Sequence, residues 1–390
     1  MSASRATTVT ALGLAQILGW GTSFYFPAVL AKPIVADTGW PLFWVVGGTS
    51  VGLLVAGLIS PRVGRLIDGK GGRPALALSS CLYAAGLALI GLAPSLPVYL
   101  AGWLLVGGGM GTGLYDAVFA ALGKLYGEQA RGPITNLTLF GGFASTICWP
   151  LSAVLEETVG WRGTCLVYAA MHLLIALPLQ MAVMPALKTP AAPSAANASP
   201  QPVALAARER MQFVLLALIL TVSAGVGSSV IVHFMIFLQA RGADLAVAVA
   251  LGTLFGPAQV GARVIESLFG RHYHPIWTMA ASCAGMAIGL VLLLGGWAYL
   301  WLAILIYGAG YGIMWIARGT LPLALFGADR YAILIGRLAF PSLIVQALAP
   351  TVCAMVIERH GADTAMAALT AFAALNVALI ALMAAANRRP

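Results

Sequence analysis

Apolar runs of membrane-spanning length recur from one end of this chain to the other, and they restrict its fold more than any other feature. A helix that crosses the hydrocarbon core of a bilayer needs about 20 apolar residues. Only 8% of the residues are charged, against about 25% in a typical soluble domain, so polar side chains could not cover a soluble surface. The sequence therefore predicts an all-α protein embedded in lipid.

Charged residues and clusters of proline and glycine divide the apolar sequence into twelve predicted spanning helices. The first run continues to about Leu30 without a convincing cleavage site, which favours an uncleaved helix over a secretory signal. The predicted helices cover residues 8–35, 42–61, 75–93, 97–122, 133–156, 162–184, 211–238, 245–269, 276–295, 298–326, 332–356 and 363–386.

A stretch rich in proline, alanine and serine separates the sixth and seventh predicted helices, a composition typical of flexible linkers. We therefore expect an N-terminal six-helix half over residues 1–186, a cytoplasmic linker over 187–210 and a C-terminal six-helix half over 211–390.

The net charge of +9 is distributed unevenly over the helix ends. Of the 21 Lys and Arg residues, 15 fall at one set of ends, and only Lys32, Arg162, Arg241 and Arg359 fall at the other. Cytoplasmic loops are enriched in Lys and Arg, so both termini and the linker are predicted to be cytoplasmic. The positive charge is therefore interpreted as a topology signal and not as a sign of nucleic-acid binding.

An offset of 200 residues aligns the fourth predicted helix with the tenth, which indicates an internal repeat. Parallel repeats related by an axis normal to the membrane occur in one large transporter fold, whose substrate site lies between the halves. The matched positions are Gly108 and Gly308, Leu125 and Leu325, Gly127 and Gly327, and Pro150 and Pro350.

The segment GRLIDGKGGRP, residues 64–74, follows the second predicted helix. It resembles the loop signature of the major facilitator superfamily, with Gly64, Asp68, Gly71 and Arg73 at the matching positions. The resemblance implies twelve helices in two pseudo-symmetric halves. It also implies a conformational latch, because Gly64 lets two helices approach closely and Asp68 can pair with basic groups or a helix N-terminus.

Three shorter segments are similar to the bacterial monocarboxylate and oxalate/formate carriers of that superfamily. Gln259 stands where those carriers are expected to have an acid, and Ala28 stands where a lysine is expected. The segments are GTSFYFPAVLAKPI (21–34), ETVGWRGTCLVYA (157–169) and QVGARVIE (259–266).

Two arginines and two acids lie inside the predicted helices, where an ionisable side chain costs several kcal/mol unless it meets water or a partner. A guanidinium grips a carboxylate with two parallel hydrogen bonds, so Arg263 is a candidate anion receptor that Gln259 orients. The alternatives for Arg263 are a structural ion pair or a position at the cytoplasmic edge. Arg318 is the second candidate on the substrate path.

Asp116 lies at a similar depth to Arg318, so the two could face each other across the halves. Such a pair could switch between pairing and protonation, or it could be a static salt bridge. Glu266 is expected to neutralise Arg263, with proton relay as the other possible role. His233 could titrate near neutral pH, or it could be hydrogen-bonded filler.

Aromatic residues of the first helix, Trp20, Phe24 and Tyr25, are candidates for the cavity wall, although many aromatics of membrane proteins face lipid. The five cysteines are widely spaced and predict neither a disulfide framework nor a metal site. Methionine and histidine also lack an ordered ligand spacing, which disfavours metal transport.

These features together predict a secondary active transporter of the bacterial inner membrane that moves a small organic anion, with a proton or a counter-anion as the coupling ion. We expect a monomer in the lipid bilayer that uses no cofactor and is not an enzyme, because HExxH, GxSxG and GxxxxGK[ST] motifs are absent. An exporter of amphiphilic drugs or metabolites, which would need an acid-lined cavity, is the alternative.

Overall fold

The computed structural model describes residues 4–186 and 205–388, and the regular structure in these residues is helical. The helices form twelve passes, several of which are broken near their middle. The passes are, in order, Arg5–Gly21 with Phe26–Thr38, Leu42–Lys70, Gly72–Gly91, Leu96–Gly113 with Tyr115–Tyr126, Arg131–Gly142 with 144–159, 161–183, Ala207–Gln239, Leu245–Gly252 with Phe255–Phe269, Pro275–Leu294, Leu300–Phe326, 328–360 and 362–388.

Eight helical stretches of the described chain are long and apolar enough to cross a membrane. Large apolar side chains also lie on the outer surface, among them Leu174, which is 75% exposed, and Phe43, which is 65% exposed. Helices satisfy their own backbone hydrogen bonds, so an apolar exterior of this kind is stable in lipid and not in water.

Glycines in the left-handed region mark the turns between consecutive passes at the end of the bundle opposite the chain termini. Gly160 has φ 71° between the fifth and sixth passes, and Gly361 has φ 84° between the eleventh and twelfth. Residues with a side chain rarely adopt such a φ, which explains glycine at both positions. The two turns occupy corresponding places in the predicted repeat.

The predicted helix boundaries differ from the observed ones where charged residues extend a helix beyond the apolar run. The second pass continues to Lys70 and does not end near residue 61. The seventh pass begins at Ala207, so residues 207–210, assigned to the linker, are helical. Residues 187–204 of the predicted linker lie outside the described residues, and the division of the chain into halves stays a prediction.

We use the word halves below only for the two described ranges, residues 4–186 and residues 205–388. Contacts between them concentrate at the end of the bundle that carries the chain termini, which we call the terminal end. There Ser60 donates to the carbonyl of Gly336 at 2.9 Å, and Ser267 donates to Asn136 at 3.2 Å. In the part of the chain that the structure describes, the hydrogen bonds and ion pairs joining these two parts lie at mid-depth or on the terminal side. The bundle is therefore closed at the terminal end.

Candidate functional site

Arg263 of the eighth pass extends into the boundary between the two six-pass parts and is only 3% exposed. Its Nε donates to the carbonyl oxygen of Gly312 at 3.0 Å, and its Nη1 donates to the carbonyl oxygen of Thr138 at 2.7 Å. Its Nη2 donates to Gln259 Oε1 at 3.4 Å. All three acceptors are neutral, so these bonds orient the guanidinium without compensating its charge.

Tyrosines from three passes lie near this guanidinium. The Tyr115 hydroxyl of the fourth pass donates to the same Thr138 carbonyl at 3.3 Å, and Tyr25 of the first pass and Tyr311 of the tenth lie within electrostatic range. Among the described residues, no carboxylate lies within 4 Å of Arg263. The arginine is therefore neither part of an ion pair within the described chain nor exposed at the terminal edge.

Glu266 does not neutralise Arg263, which corrects the expectation from their spacing. Its carboxylate accepts hydrogen bonds from the hydroxyls of Thr278, at 2.7 Å, and Tyr273. The two side chains leave the helix in different directions, Arg263 toward the fifth and tenth passes and Glu266 toward the ninth. Burial, and then the bond to Glu266, raise the pKa of Tyr273 to about 12, so its hydroxyl stays a donor.

Arg318 of the tenth pass and Asp116 of the fourth form an ion pair across the two parts of the bundle. Nε donates to Oδ1 at 2.7 Å, Nη2 donates to Oδ2 at 2.8 Å, and Nη2 also donates to Ser342 at 2.9 Å. The side chains are 2% and 17% exposed respectively. Arg318 is thus already neutralised in this conformation, whereas Arg263 is not.

The aromatic residues of the first pass lie between two spaces of different size. Trp20 lines a closed cavity of about 20 Å³, together with Ser60, Tyr115, Asp116 and Trp315. Tyr25 packs edge-to-face against Trp149, with ring centroids 5.9 Å apart. Trp149 borders an open groove of about 530 Å³ nearer the opposite end, which Ala28, Val29, Ser145, Thr146, Pro150 and Ala153 also line.

Four of the passes near Arg263 are discontinuous helices, whereas the tenth, Leu300–Phe326, is continuous. The first breaks at residues 22–25, the fourth at Leu114, the fifth at Phe143 and the eighth at residues 253–254. Each break frees backbone groups that need other partners in a membrane. Such breaks surround the binding sites of several transporter folds, because new helices begin there with their positive dipole ends.

Side-chain hydrogen bonds replace the backbone bonds lost at the breaks of the first and fourth passes. The Ser23 hydroxyl donates to the carbonyl of Gly19 at 2.6 Å. The Thr22 hydroxyl adds a second bond, at 2.9 Å, to the carbonyl of Leu18, which also accepts from the backbone N–H of Thr22. At the fourth pass, Gln16 Nε2 donates to the carbonyl of Gly113 at 2.6 Å. Short polar residues in the apolar first helix therefore support the breaks.

His233 of the seventh pass hydrogen-bonds within its own half of the bundle, through Nε2 and the carbonyl of Pro350 at 2.9 Å. Its ring also packs against Phe237, with centroids 6.2 Å apart. This is the arrangement of a hydrogen-bonded core histidine. The described residues contain no group of three or more His, Cys, Asp or Glu side chains that could hold a metal ion.

The segment 64–74 lies at the terminal end and is mostly helical, with Gly71 as a one-residue turn and Arg73 in the first turn of the third pass. A Cβ on Gly64 would lie 2.4 Å from the carbonyl oxygen of Ala332, so Gly64 does allow close approach of the eleventh pass. Asp68 pairs with Lys124 of the fourth pass at 3.0 Å. That pair lies within one half and need not break when the halves separate, which corrects its predicted role in the latch.

Two unpredicted residues hold the halves together at the terminal end. Glu128 Oε1 accepts from the backbone N–H of Ala328, at the start of the eleventh pass, at 3.0 Å. Arg131 donates to the carbonyl of Gly270, at the end of the eighth pass. An acid at a helix N-terminus and a base at a C-terminus both interact favourably with the helix dipole. The 200-residue offset, which pairs position 128 with 328, was the available signal for Glu128.

Sequence reasoning also missed several residues that complete the central site. They contribute a backbone carbonyl or an aromatic ring, and neither is conspicuous in an apolar sequence. Only Tyr115 and Trp315, which the 200-residue offset aligns, could have been found from the repeat. The missed residues are Tyr115, Thr138, Tyr311, Gly312 and Trp315.

The described chain has twelve apolar passes, and its two sets of six passes are closed against each other at the terminal end. Charged side chains are buried at the boundary between the two sets. These features define a membrane carrier. The chain belongs to the major facilitator superfamily, whose sequence profile matches residues 11–350. It is a multi-pass membrane transporter, and members of this superfamily are generally not enzymes. No curated protein matches the chain significantly in sequence.

Solved transporter structures share the fold at low sequence identity. The human organic anion transporter MFSD10 (TETRAN) is 16% identical with a TM-score of 0.76, over 97% of this chain and 100% of that one. The Escherichia coli fucose:proton symporter FucP is 15% identical with a TM-score of 0.75, over 98% and 99%. The proton:xylose symporter XylE, bound to 6-bromo-6-deoxy-D-glucose, is 12% identical with a TM-score of 0.72, over 96% and 94%.

Proposed function

We propose that this protein carries small organic monocarboxylate anions across the bacterial inner membrane by alternating access, with both termini in the cytoplasm. The observation that carries the proposal is Arg263, a guanidinium at the boundary between the halves that is 3% exposed and bonded only to neutral acceptors. A structural role would ordinarily supply a carboxylate partner for a cation so deeply buried.

An anionic cargo explains this incomplete compensation. A guanidinium has five N–H donors, and the three bonds of Arg263 leave donors available for a carboxylate. A buried charge without a counter-charge costs several kcal/mol, which a bound anion would offset. The neighbouring hydroxyl of Tyr25 can add a further hydrogen bond. MFSD10, which shares the fold, is an organic anion transporter, and this agrees with the proposed substrate class.

With the termini in the cytoplasm, the closed terminal end faces inward. The groove of about 530 Å³ beside Tyr25 and Trp149 is then the entry for substrate from outside. That volume lies within the range of small-molecule sites, about 300 to 1,000 Å³. Bound anion would partly neutralise Arg263, which touches both halves through Thr138 and Gly312, and so favour the rearrangement between them.

The pair of Asp116 and Arg318 is the candidate for proton coupling. Protonation of Asp116 would remove the charge that holds Arg318 across the halves and so weaken the inward closure. Because Arg318 cannot lose its proton in practice, the carboxyl is the partner that switches. FucP and XylE are described as proton symporters, which agrees with this coupling mode.

Uptake by the purified protein in liposomes tests the proposal, with labelled lactate and benzoate as probes. Arg263→Gln removes the charge and should lower the apparent affinity about a hundredfold, the loss expected when a buried charged contact worth about 3 kcal/mol disappears. Arg263→Lys should fall between wild type and Arg263→Gln, because lysine keeps the charge and loses the paired geometry.

The matched control is Arg62→Gln, since Arg62 is an exposed arginine at the terminal end. Uptake should be measured with and without an inward proton gradient, and a gradient that accelerates uptake supports proton coupling. Wild-type affinity in Arg263→Gln would overturn the anion-receptor role. Uptake driven only by an outward anion gradient would replace proton coupling with anion exchange.

A further inference from the structure

Six aromatic side chains from three passes form a continuous wall beside Arg263. Trp20 is the centre, with ring centroids 5.8 Å from Phe24, 5.2 Å from Tyr115 and 5.4 Å from Trp315. Phe24 continues to Tyr25 at 5.4 Å, and Trp315 continues to Tyr311 at 6.1 Å. We call these six residues the aromatic wall.

The aromatic wall adjoins the guanidinium at Tyr115. The Tyr115 hydroxyl and Arg263 Nη1 both donate to the carbonyl oxygen of Thr138, at 3.3 and 2.7 Å. A carboxylate bound to Arg263 therefore has the rest of its molecule among these rings. The wall belongs to both halves, since Trp20 and Tyr115 meet Trp315 across the boundary.

Several polar groups near the wall already form hydrogen bonds within the protein. Gln259 Oε1 accepts from Arg263, the Thr138 hydroxyl donates to the carbonyl of Thr135, and the Tyr115 hydroxyl donates to the carbonyl of Thr138. A polyhydroxylated cargo would lose more hydrogen bonds to water than these groups can replace. Ring faces and edges instead suit a planar aromatic body, which they hold by stacking and edge-to-face contacts.

One polar atom of the wall, Trp20 Nε1, is buried without a hydrogen-bond partner among the described residues. The Trp20 residue as a whole is 7% exposed. Trp20 lines the closed cavity of about 20 Å³, which is room for a single water-sized group. A buried donor left unsatisfied costs free energy, so an acceptor oxygen supplied by the cargo would be favoured there.

We propose that the cargo is an aromatic carboxylate with an oxygen substituent on its ring, called the ring oxygen below. This refinement rests on the function proposed above. Its carboxylate binds Arg263, its ring packs against the aromatic wall, and its ring oxygen accepts a hydrogen bond from Trp20 Nε1. The apolar wall supplies affinity, and the two polar contacts at separate points set the orientation.

Competition with labelled benzoate in proteoliposomes tests this assignment. Benzoate and cyclohexanecarboxylate carry the same charge and a six-carbon ring, and the second is the more hydrophobic. The wild-type protein should bind benzoate about three- to tenfold more tightly, the effect expected of aromatic contacts. Trp315→Leu should remove most of that preference, whereas Trp301→Phe, at a residue 53% exposed, should leave it unchanged.

The ring oxygen is tested with 4-hydroxybenzoate against benzoate. Wild type should prefer 4-hydroxybenzoate about fivefold, the effect of one added hydrogen bond to an otherwise unpaired donor. Trp20→Phe keeps an aromatic ring and removes the N–H, so it should abolish this preference and still bind benzoate.

The outcomes separate the two proposals. If neither benzoate nor cyclohexanecarboxylate binds while labelled lactate is taken up, the carrier function stands and the aromatic assignment is overturned. If lactate is not taken up either, the anion-carrier function itself is overturned. If both bind equally well, the carrier function stands and the aromatic assignment is overturned. An unchanged preference for 4-hydroxybenzoate in Trp20→Phe overturns the contact at Nε1.

Discussion

Replacing Asp116 by asparagine should open the bundle at its terminal end. The substitution keeps the size of the side chain and removes the charge that receives two hydrogen bonds from Arg318, at 2.7 and 2.8 Å. Arg318 then remains charged and almost fully buried, with Ser342 as its other side-chain partner. When the halves separate at this end, water can reach the arginine and the cost disappears.

The magnitude follows from the burial of the pair, whose side chains are 2% and 17% exposed. Removing one partner of a buried ion pair costs about 3 to 5 kcal/mol. Because asparagine keeps one acceptor, we expect about 3 kcal/mol, a change of about a hundredfold in the population ratio. A protein that is about 99% closed at the terminal end would become roughly half open.

Spin labels at Gly132 and Arg271 can measure this shift by pulsed electron paramagnetic resonance. Both residues are exposed at the terminal end and belong to different halves, and a Cβ at Gly132 meets nothing within 4 Å. The labelled cysteines are introduced after the native cysteines have been replaced by alanine. Asp116→Asn should add a second, longer distance of comparable weight to the distribution.

Asp363→Asn is the matched control, because Asp363 pairs with Arg241 within one half and its side chain is 72% exposed. It should leave the distance distribution unchanged. If Asp116→Asn also gives the wild-type distribution, the cross-half ion pair does not stabilise the closed end and the reasoning is refuted.

Two further predictions concern the terminal end. Gly64→Ala should shift the same spin-label distances toward the open form, because its Cβ would lie 2.4 Å from the carbonyl oxygen of Ala332. Gly69→Ala is the control and should leave the distances unchanged, since its Cβ would meet nothing within 4 Å. Equal effects of the two substitutions would contradict the close-packing role of Gly64. His274 Nδ1 accepts the N–H of Ile276, and burial lowers the pKa of His274 below 6.5, so folding stability should fall as pH drops below that value. His274→Asn keeps a capping acceptor and should flatten this part of the Tm profile against pH, and an unchanged slope would assign the titration to another group.

The fold could be predicted because the length of apolar runs is set by the bilayer and is visible in the sequence. The breaks in the first and fourth passes could not. Residues 22–25 continue an apolar run, and their break depends on Thr22 and Ser23 capping carbonyls of the same helix. The length of the second pass was also hidden, since a helix can continue into water after its apolar residues end.

Only the charged residues of the candidate site could be predicted from the sequence. Arg263, Arg318 and Asp116 stand out because charge is rare in apolar helices, and the 200-residue repeat brought the last two together. The repeat says nothing about acceptors such as the carbonyls of Thr138 and Gly312, which lie 125 and 49 residues from Arg263. Spacing alone also failed for Glu266, because its direction depends on the ninth pass.

Solid-state NMR can test most directly whether an anion docks on Arg263. The protein carries ¹⁵N-labelled arginine in lipid, benzoate carries ¹³C in its carboxylate, and dipolar dephasing reports the distance between them. A paired contact places the carboxylate carbon within about 4 Å of the guanidinium nitrogens, so strong dephasing is predicted in wild type and its loss in Arg263→Lys. Bound benzoate without dephasing, or dephasing that persists in Arg263→Lys, would contradict the account.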